Sequence, residues 1–255
     1  MSFYTTQRPL VVLLGDSITE YGTKIEGLHS LLLNWLSVRA DILNRGCSGW
    51  NTEIMLRALK QDFDKAFSSD FNGRQVLIVI CLGANDACSK DSPTKQHVPQ
   101  EMYRENIIQL VDLLRNRFAT ANQLDILLST PPPVHDDFYV EIWKDSSRSN
   151  AVASQYAERV RDVVNHFSVS NVSLVDLWKK APQDNEPCLL SEVKSVWPRE
   201  FFTDGLHLSG QGYSNMFQHI KCAIKKNVSQ LDGDSMAFSH TYWRDAVSLV
   251  QPEQN

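Results

Sequence analysis

The sequence feature that most restricts the fold is a set of short apolar runs in which hydrophobic residues do not alternate with polar ones. Each run has four to seven residues, mostly Leu or β-branched, and the runs are Leu10–Leu14, Val76–Leu82, Leu124–Leu128, Val172–Leu177 and a weaker one at Asp41–Asn44. Runs of this kind are typical of strands that are covered on both faces. The sequence therefore predicts a sheet of about five buried strands.

Longer segments with helical spacing of apolar residues separate these runs. They predict helices over Leu28–Val38, Glu53–Phe67, Met102–Phe118, Asn150–Phe167 and Ser209–Val228, the last with Ser209 as its N-cap. Strands that alternate with helices predict an α/β sandwich around a mainly parallel sheet. Residues 1–231 are expected to form one domain, and residues 232–255 a C-terminal tail packed on it.

Composition and charge exclude several classes of partner. The net charge of the 255 residues is −5, and no dense Lys/Arg cluster is present, so binding to nucleic acid is not expected. No run approaches the roughly 20 apolar residues of a membrane span, and the N-terminus does not resemble a signal peptide. Five cysteines without a CxxC pair are expected to be reduced thiols, and the predicted location is the cytoplasm.

Ser17 follows the first apolar run in the tripeptide Gly15-Asp16-Ser17. A serine just after a buried strand, preceded by a glycine that permits a sharp turn, projects its hydroxyl from the edge of the sheet. Serines in this position more often cap helices or turns, so the tripeptide alone leaves a nucleophile and a structural serine both open. Asp16 is expected to hydrogen-bond the turn that presents Ser17.

Two further segments could supply hydrogen-bond donors beside that serine. Asn85 follows the third long strand in Gly83-Ala84-Asn85-Asp86, although Asn-Asp after Gly is also common in turns. The segment 44–52, NRGCSGWNT, lies between a strand and a helix and contains two glycines. Free N–H groups at the start of a helix attract negative charge, so a backbone N–H there could stabilise a developing oxyanion.

Asp204 and His207 precede the last long helix in the segment DGLH. A carboxylate and an imidazole three residues apart can fold so that the carboxylate holds one ring nitrogen and the other accepts a hydroxyl proton. A histidine can also simply pack or cap. Taken together, however, all four segments lie at carboxyl ends of predicted strands or before the last helix, where ligands bind in open α/β sheets. Their joint order favours a hydrolytic serine site.

The same four segments resemble the sequence blocks of the GDSL or SGNH esterases and lipases. The matching blocks are GDSIT, the glycine of NRGCSGWNT, GAND and DGLH, and they occur in order from residue 15 to residue 207. The chain is most similar to the isoamyl acetate-hydrolysing esterase branch. That likeness is carried by GDSITEYG, NRGCSGWNT, LGANDAC, HVP at 97–99, DGLHLSGQGY and WRD at 243–245.

This resemblance implies a flavodoxin-like fold, a three-layer α/β/α sandwich with a five-stranded sheet. It implies a catalytic triad of Ser17, Asp204 and His207. The oxyanion hole would consist of the Ser17 amide, the Asn85 side chain and the amide of Gly49, with Gly46 as the less favoured alternative. No HExxH, P-loop or GxGxxG motif is present, so neither a metal nor another cofactor is expected.

The predicted function is hydrolysis of a small-molecule ester, with short acyl, for example acetyl, esters of small alcohols favoured. A deacetylase, thioesterase or lysophospholipase could use the same site on sugar or lipid substrates. A binding module that has lost catalysis is the alternative from a different functional class. Since Ser17, Asn85 and His207 are all present, the sequence favours the enzyme; it leaves the oligomeric state open.

Overall fold

Five parallel strands form one sheet in a computed structural model that describes residues 7–67, 71–168, 171–181 and 197–250, apart from the side chains of residues 243, 248 and 249. The strand order is β2-β1-β3-β4-β5. The strands are β1 (Leu10–Gly15), β2 (Asp41–Gly46), β3 (Gln75–Cys81), β4 (Gln123–Ser129) and β5 (Val172–Val175). Every predicted strand is therefore confirmed. The chain passes from β1 to β2 on one side and from β3 to β4 on the other, so a crevice is expected between β1 and β3 at their carboxyl ends.

The sheet is covered on both faces, as the unbroken apolar runs predict. Along β1, Val12 and Leu14 point into one core with helices from the segments 52–66, 100–117 and 150–166. Val11 and Leu13 point into a second core with the segments 28–35 and 210–227. Successive strand residues face opposite sides, so a strand that is apolar throughout fits only between two helical layers. The three-layer α/β/α sandwich is confirmed.

The five predicted helices are confirmed, and three further helices among the described residues were not predicted. In the described part of the chain they are α1 (Ser17–Tyr21), α2 (Leu28–Trp35), α3 (Thr52–Ala66), α4 (Gln100–Arg117), α5 (Asp136–Trp143), α6 (Asn150–His166), α7 (Gly210–Asn227) and α8 (Trp243–Val250). Ser209 caps α7, because its side chain accepts a hydrogen bond from the Gly212 N–H. None of the described helices combines the length and hydropathy required to cross a bilayer.

Two segments for which the sequence predicts no helix, 15–26 and 130–149, contain one each. The segment 15–26 includes the single turn α1, and the segment 130–149 includes the two-turn α5. Both helices are too short to give a readable apolar period, and α5 is stabilised by long-range packing of Phe138 and Tyr139. The correction matters because both helices border the crevice.

The segment after residue 231 contacts α2 and the residues that follow this helix through polar groups. Trp35 Nε1 donates to Asp234 Oδ1 at 2.7 Å, and Arg39 Nε donates to the Met236 carbonyl at 2.8 Å. The last described element is α8, which begins at Trp243, a residue whose side chain lies outside the described residues. Cys188, one of the five cysteines, also lies outside them.

Candidate active site

Ser17 lies just after the carboxyl end of β1, an interior strand between β2 and β3. Asp16 is the N-cap of α1, and its Oδ1 accepts a hydrogen bond from the Ile18 N–H at 2.9 Å, as expected for the residue that shapes this turn. Burial raises the pKa of the Asp16 carboxyl to about 6, although the Ile18 hydrogen bond and the nearby charges of Arg148 and His207 lower it. As the first residue of a helix, Ser17 has a backbone N–H without an intrahelical acceptor.

A continuous hydrogen-bonded chain joins Ser17, His207 and Asp204. The Ser17 Oγ lies 2.9 Å from His207 Nε2, and His207 Nδ1 lies 2.7 Å from Asp204 Oδ2. A carboxylate at Nδ1 favours the tautomer that is protonated on that nitrogen, which leaves Nε2 to accept the hydroxyl proton. The residues predicted from two distant segments of the sequence are therefore brought together.

The loop of Asp204 is arranged so that its carboxylate remains ionised. Burial alone would raise the pKa of Asp204, but hydrogen bonds from the His207 side chain and from the His207 and Leu206 backbone N–H groups lower it below its usual value. Gly205 has a φ of 85°, and a Cβ there would collide with the Tyr139 backbone. Only glycine fits this turn, which folds the carboxylate back onto the imidazole.

The two glycines of the second segment have different surroundings. The Gly46 N–H is occupied, because it donates to Asn44 Oδ1 at 2.8 Å. Gly49, with a φ of 79°, lines the same cavity as Ser17, and its N–H has no acceptor among the described residues. Of the two alternatives, Gly49 is the one with a donor available to a ligand.

Asn85 lies beside Gly49 at the carboxyl end of β3. Its Nδ2 donates to the Trp50 carbonyl at 2.8 Å, which uses one of the two N–H groups of the amide. Ser17, Gly49, Asn85 and His207 all line one cavity of about 600 Å³. The geometry therefore brings the predicted residues to a single crevice, where three N–H groups are available near one serine hydroxyl.

Two aromatic rings flank the imidazole of His207. The ring centroid of Tyr21 lies 5.1 Å from that of His207, and the centroid of Trp143 lies 6.3 Å from it. Both aromatic residues also line a second cavity of about 350 Å³ on the Asp204 side, with Ile25 and Tyr213. A bound molecule could thus extend from the serine across the histidine.

The residues of this crevice that sequence reasoning missed include Tyr21, Gln96, Trp143 and Arg148. Tyr21 and Trp143 belong to α1 and α5, which were not predicted. Gln96 and Arg148 lie in polar segments that carry no local signal, since their partners are distant in sequence. Asp86, predicted as a turn residue, instead holds the start of α3, because its Oδ1 accepts from the Thr52 N–H at 3.0 Å.

Comparisons with known proteins identify the family of the chain. A model of the GDSL-like lipase/acylhydrolase family matches residues 13–214. The chain belongs to this family. The family predicted from the four sequence blocks is confirmed, and the protein is a carboxylic ester hydrolase of the GDSL type.

Curated relatives match nearly the whole chain. An isoamyl acetate-hydrolyzing esterase 1 homolog of Bos taurus is 32% identical to it over 96% of this chain and 90% of the relative. The Homo sapiens protein of the same name is 31% identical with the same coverage. A GDSL esterase/lipase of Arabidopsis thaliana is 32% identical over 86% of this chain and 87% of its own length. Similarity thus extends well beyond the short blocks.

Solved structures support the fold. The lipase/acylhydrolase of Enterococcus faecalis superposes with a TM-score of 0.58 at 23% identity, and covers 86% of this chain and 96% of its own. The acetyl xylan esterase AlAXEase superposes with a TM-score of 0.58 at 17% identity, over 84% of this chain and 99% of its own. The sandwich of the GDSL-type esterase is therefore shared with distant acylhydrolases.

Proposed function

We infer that this GDSL-type esterase hydrolyses short acyl esters of small alcohols by a two-step acyl transfer at Ser17. The observation that carries the proposal is the hydrogen-bonded chain from the Ser17 hydroxyl through His207 to Asp204, beside the free N–H of Gly49. Nucleophile, base and orienting carboxylate in that order are the requirements for activating a serine at neutral pH.

In the first step, His207 Nε2 takes the Ser17 proton as Oγ attacks the ester carbonyl. The Asp204 carboxylate fixes the ring tautomer and stabilises the imidazolium that forms. The negative charge that develops on the carbonyl oxygen is received by the N–H groups of Ser17, Gly49 and Asn85. Donors aimed in advance at a developing charge need no reorganisation during the reaction, which is why they lower the barrier.

In the second step, His207 returns the proton to the leaving alcohol, and the acyl group remains on Ser17. Water then enters, loses a proton to His207 and attacks the acyl-enzyme, with the same donors holding the oxyanion. Collapse of this intermediate breaks the bond to Ser17 Oγ and releases the acid, while His207 returns the proton to Ser17. The histidine lies between the two cavities, so the alcohol is expected on the Asp204 side, over Tyr21 and Trp143. The acyl group would occupy the cavity of Gly49 and Asn85.

Small substrates fit the volumes of the crevice. Cavities of about 600 and 350 Å³ lie in the range of sites for small molecules, roughly 300–1,000 Å³. The alcohol side is lined by Tyr21, Ile25 and Trp143, which suit a short apolar group. The names of the mammalian relatives, isoamyl acetate-hydrolyzing esterase 1 homologs, suggest the same combination of acetyl group and small alcohol.

The test combines active-site labelling with a substrate panel. A fluorophosphonate probe should add one covalent group to the peptide that contains Ser17, as read by mass spectrometry, and no group to a Ser17→Ala variant. In the panel, acetyl esters of small alcohols should be hydrolysed faster than long-chain acyl esters, acyl thioesters, lysophospholipids and acetylated sugars. A folded protein that is not labelled would point to a binding module, and a faster thioester or sugar substrate would reassign the substrate class.

A further inference from the structure

Arg148 is a buried cation directly behind the candidate oxyanion donors. Its side chain is only 7% exposed, and it lies in the linker between α5 and α6. Nη2 donates to Asn85 Oδ1 at 3.0 Å and to Gln96 Oε1 at 2.9 Å, while Nη1 donates to the Ala84 carbonyl. In the part of the chain that the structure describes, Arg148 forms no ion pair, so all these partners are neutral oxygens.

The contact with Asn85 fixes the direction of its amide. Arg148 requires the amide oxygen on its side, and the Trp50 carbonyl requires the amide nitrogen on the other, at 2.8 Å. A flipped amide would lose both hydrogen bonds and place oxygen against oxygen. The second N–H of Asn85 is therefore held in a fixed direction.

The contact with Gln96 extends the same control to Gly49. Gln96 Nε2 donates to the Gly49 carbonyl at 2.7 Å, and the Gln96 carbonyl accepts from Asn51 Nδ2 at 2.9 Å. Gly49 lines the cavity with a positive φ, a conformation that determines the direction of its N–H and that the loop must maintain. Arg148 thus contacts one donor directly and the other through a single intervening side chain.

We propose that Arg148, with Gln96, is a positioning residue that orients both oxyanion donors other than the Ser17 amide. The proposal rests on the acyl transfer at Ser17 described above. A guanidinium suits this role, since its planar fork can hold several oxygens at fixed angles, whereas the ammonium of lysine is a single point charge on a flexible stem. Arg148 itself makes no contact with the reacting atoms.

The first test compares two buried arginines with Met substitutions. Arg148→Met should lower kcat about 10- to 100-fold, a fraction of the loss expected when an oxyanion donor is removed outright, with KM within about threefold. Arg74, 5% exposed and bonded to Arg8 and Asp41 at the opposite end of the sheet, is the matched control. Arg74→Met should leave kcat unchanged, so a loss in Arg148→Met is not a general effect of removing a buried arginine.

The second test is a mutant cycle on kcat. In a background that carries Asn85→Ala and Gln96→Leu, Arg148→Met should have no further effect on kcat, because both groups through which it acts are gone. Gln96→Leu alone should cost less than Arg148→Met, and Arg148→Lys should lie between wild type and Arg148→Met. If Arg148→Met does not fold, the same cycle is run with Arg148→Lys.

The outcomes separate this inference from the proposed function. Equal kcat in Arg148→Met and Arg74→Met would overturn the positioning role. So would a decrease in kcat on Arg148→Met that is as large in the doubly substituted background as in the wild type. A loss confined to KM would overturn it too, since it would assign Arg148 to substrate binding. If Ser17 is not labelled and Asn85→Ala has wild-type kcat, the acyl-transfer proposal itself has failed, whatever Arg148 does.

Discussion

A buried arginine lies at each end of the sheet, and the two arginines have different kinds of hydrogen-bond partner. At the amino end, Arg74 forms an ion pair with Asp41, with Nη2 and Oδ2 2.5 Å apart, and donates to the Arg8 carbonyl at 2.7 Å. At the carboxyl end, Arg148 donates only to neutral oxygens among the described residues. Burial is nearly equal, at 5% and 7% exposure, so the difference lies in the partners.

The comparison indicates different roles for the two ends of the sheet: the amino end contributes to stability, and the carboxyl end holds the candidate site. The amino end pairs its buried charge with a carboxylate, although Gln75 Nε2 there is buried without a partner among the described residues. The carboxyl end keeps groups with unused hydrogen-bonding capacity, including the Gly49 N–H and Asp86 Oδ2. Such groups reduce the stability of a folded chain, and they are retained where a ligand or a transition state can use them.

The largest expected effect is loss of turnover on removal of the nucleophile or its base. Ser17→Ala and His207→Ala should each lower kcat by roughly 10⁴-fold or more, because the two act as a unit. The double variant should be no slower than either single variant. The free energy of unfolding, from urea titration, should change by less than about 1 kcal/mol in Ser17→Ala, since one hydroxyl is removed.

These variants test whether Ser17 and His207, at the carboxyl end of the sheet, act together in catalysis. A His207→Ala variant with more than a tenth of the wild-type kcat would show that the imidazole at 2.9 Å is not the base. Multiplicative losses in the double variant would show that the two residues act in separate steps.

The next effect in size concerns the oxyanion donors. Asn85→Ala removes one donor and should lower kcat by about 10²–10³-fold, or roughly 3–4 kcal/mol of transition-state stabilisation. KM should change little, because the donor acts on charge that develops after binding. Steady-state kinetics on an acetyl ester measures both, and a variant with unchanged kcat would remove Asn85 from the oxyanion hole.

The sequence predicts the parts of the site that follow buried strands and little of what supports them. Ser17 and Asn85 follow β1 and β3, so the parallel sheet alone brings them to one edge. Asp204 and His207 are close in sequence, and Gly205 marks the turn between them. For each of these residues, local pattern and topology carry the prediction.

The supporting residues could not be predicted because their contacts are long-range. Arg148 is separated in sequence from Asn85 by 63 positions and from Gln96 by 52. In a polar segment of the sequence, a buried arginine cannot be distinguished from one that is exposed to solvent. Helix α5 was missed for a related reason. Its eight residues are stabilised by the turn of Gly205 and by packing of Phe138 rather than by their own apolar period.

Removal of the arginine at the amino end should affect stability alone. Arg74→Met breaks the pair with Asp41 and leaves the Arg8 carbonyl without its donor. The free energy of unfolding should fall by about 3 kcal/mol, at the lower end of the range for a buried pair because Asp41 is half exposed. Urea titration measures the loss, and a simultaneous fall in kcat would show that the two ends of the sheet are coupled.

The smallest expected effect is a pH dependence of stability that originates at the carboxyl end. Burial raises the pKa of Asp86 to about 7, although hydrogen bonds from the Thr52 side chain and N–H lower it, and its Oδ2 has no partner among the described residues. The unfolded chain, with an ordinary carboxyl pKa near 4, releases this proton at lower pH than the folded chain.

Between pH 4 and pH 7 the folded state thus binds more protons at Asp86 than the unfolded state, so stability falls as the pH rises through this window. Asp86→Asn removes the titration. The stability of wild type relative to this variant should be greater at pH 5 than at pH 8, by on the order of 2 kcal/mol, since each pKa unit corresponds to about 1.4 kcal/mol. Urea titrations at both pH values measure the difference, and Arg74→Met should retain the wild-type trend. A difference that does not vary with pH would mean that Asp86 stays ionised when buried, and that the carboxyl end tolerates its charge.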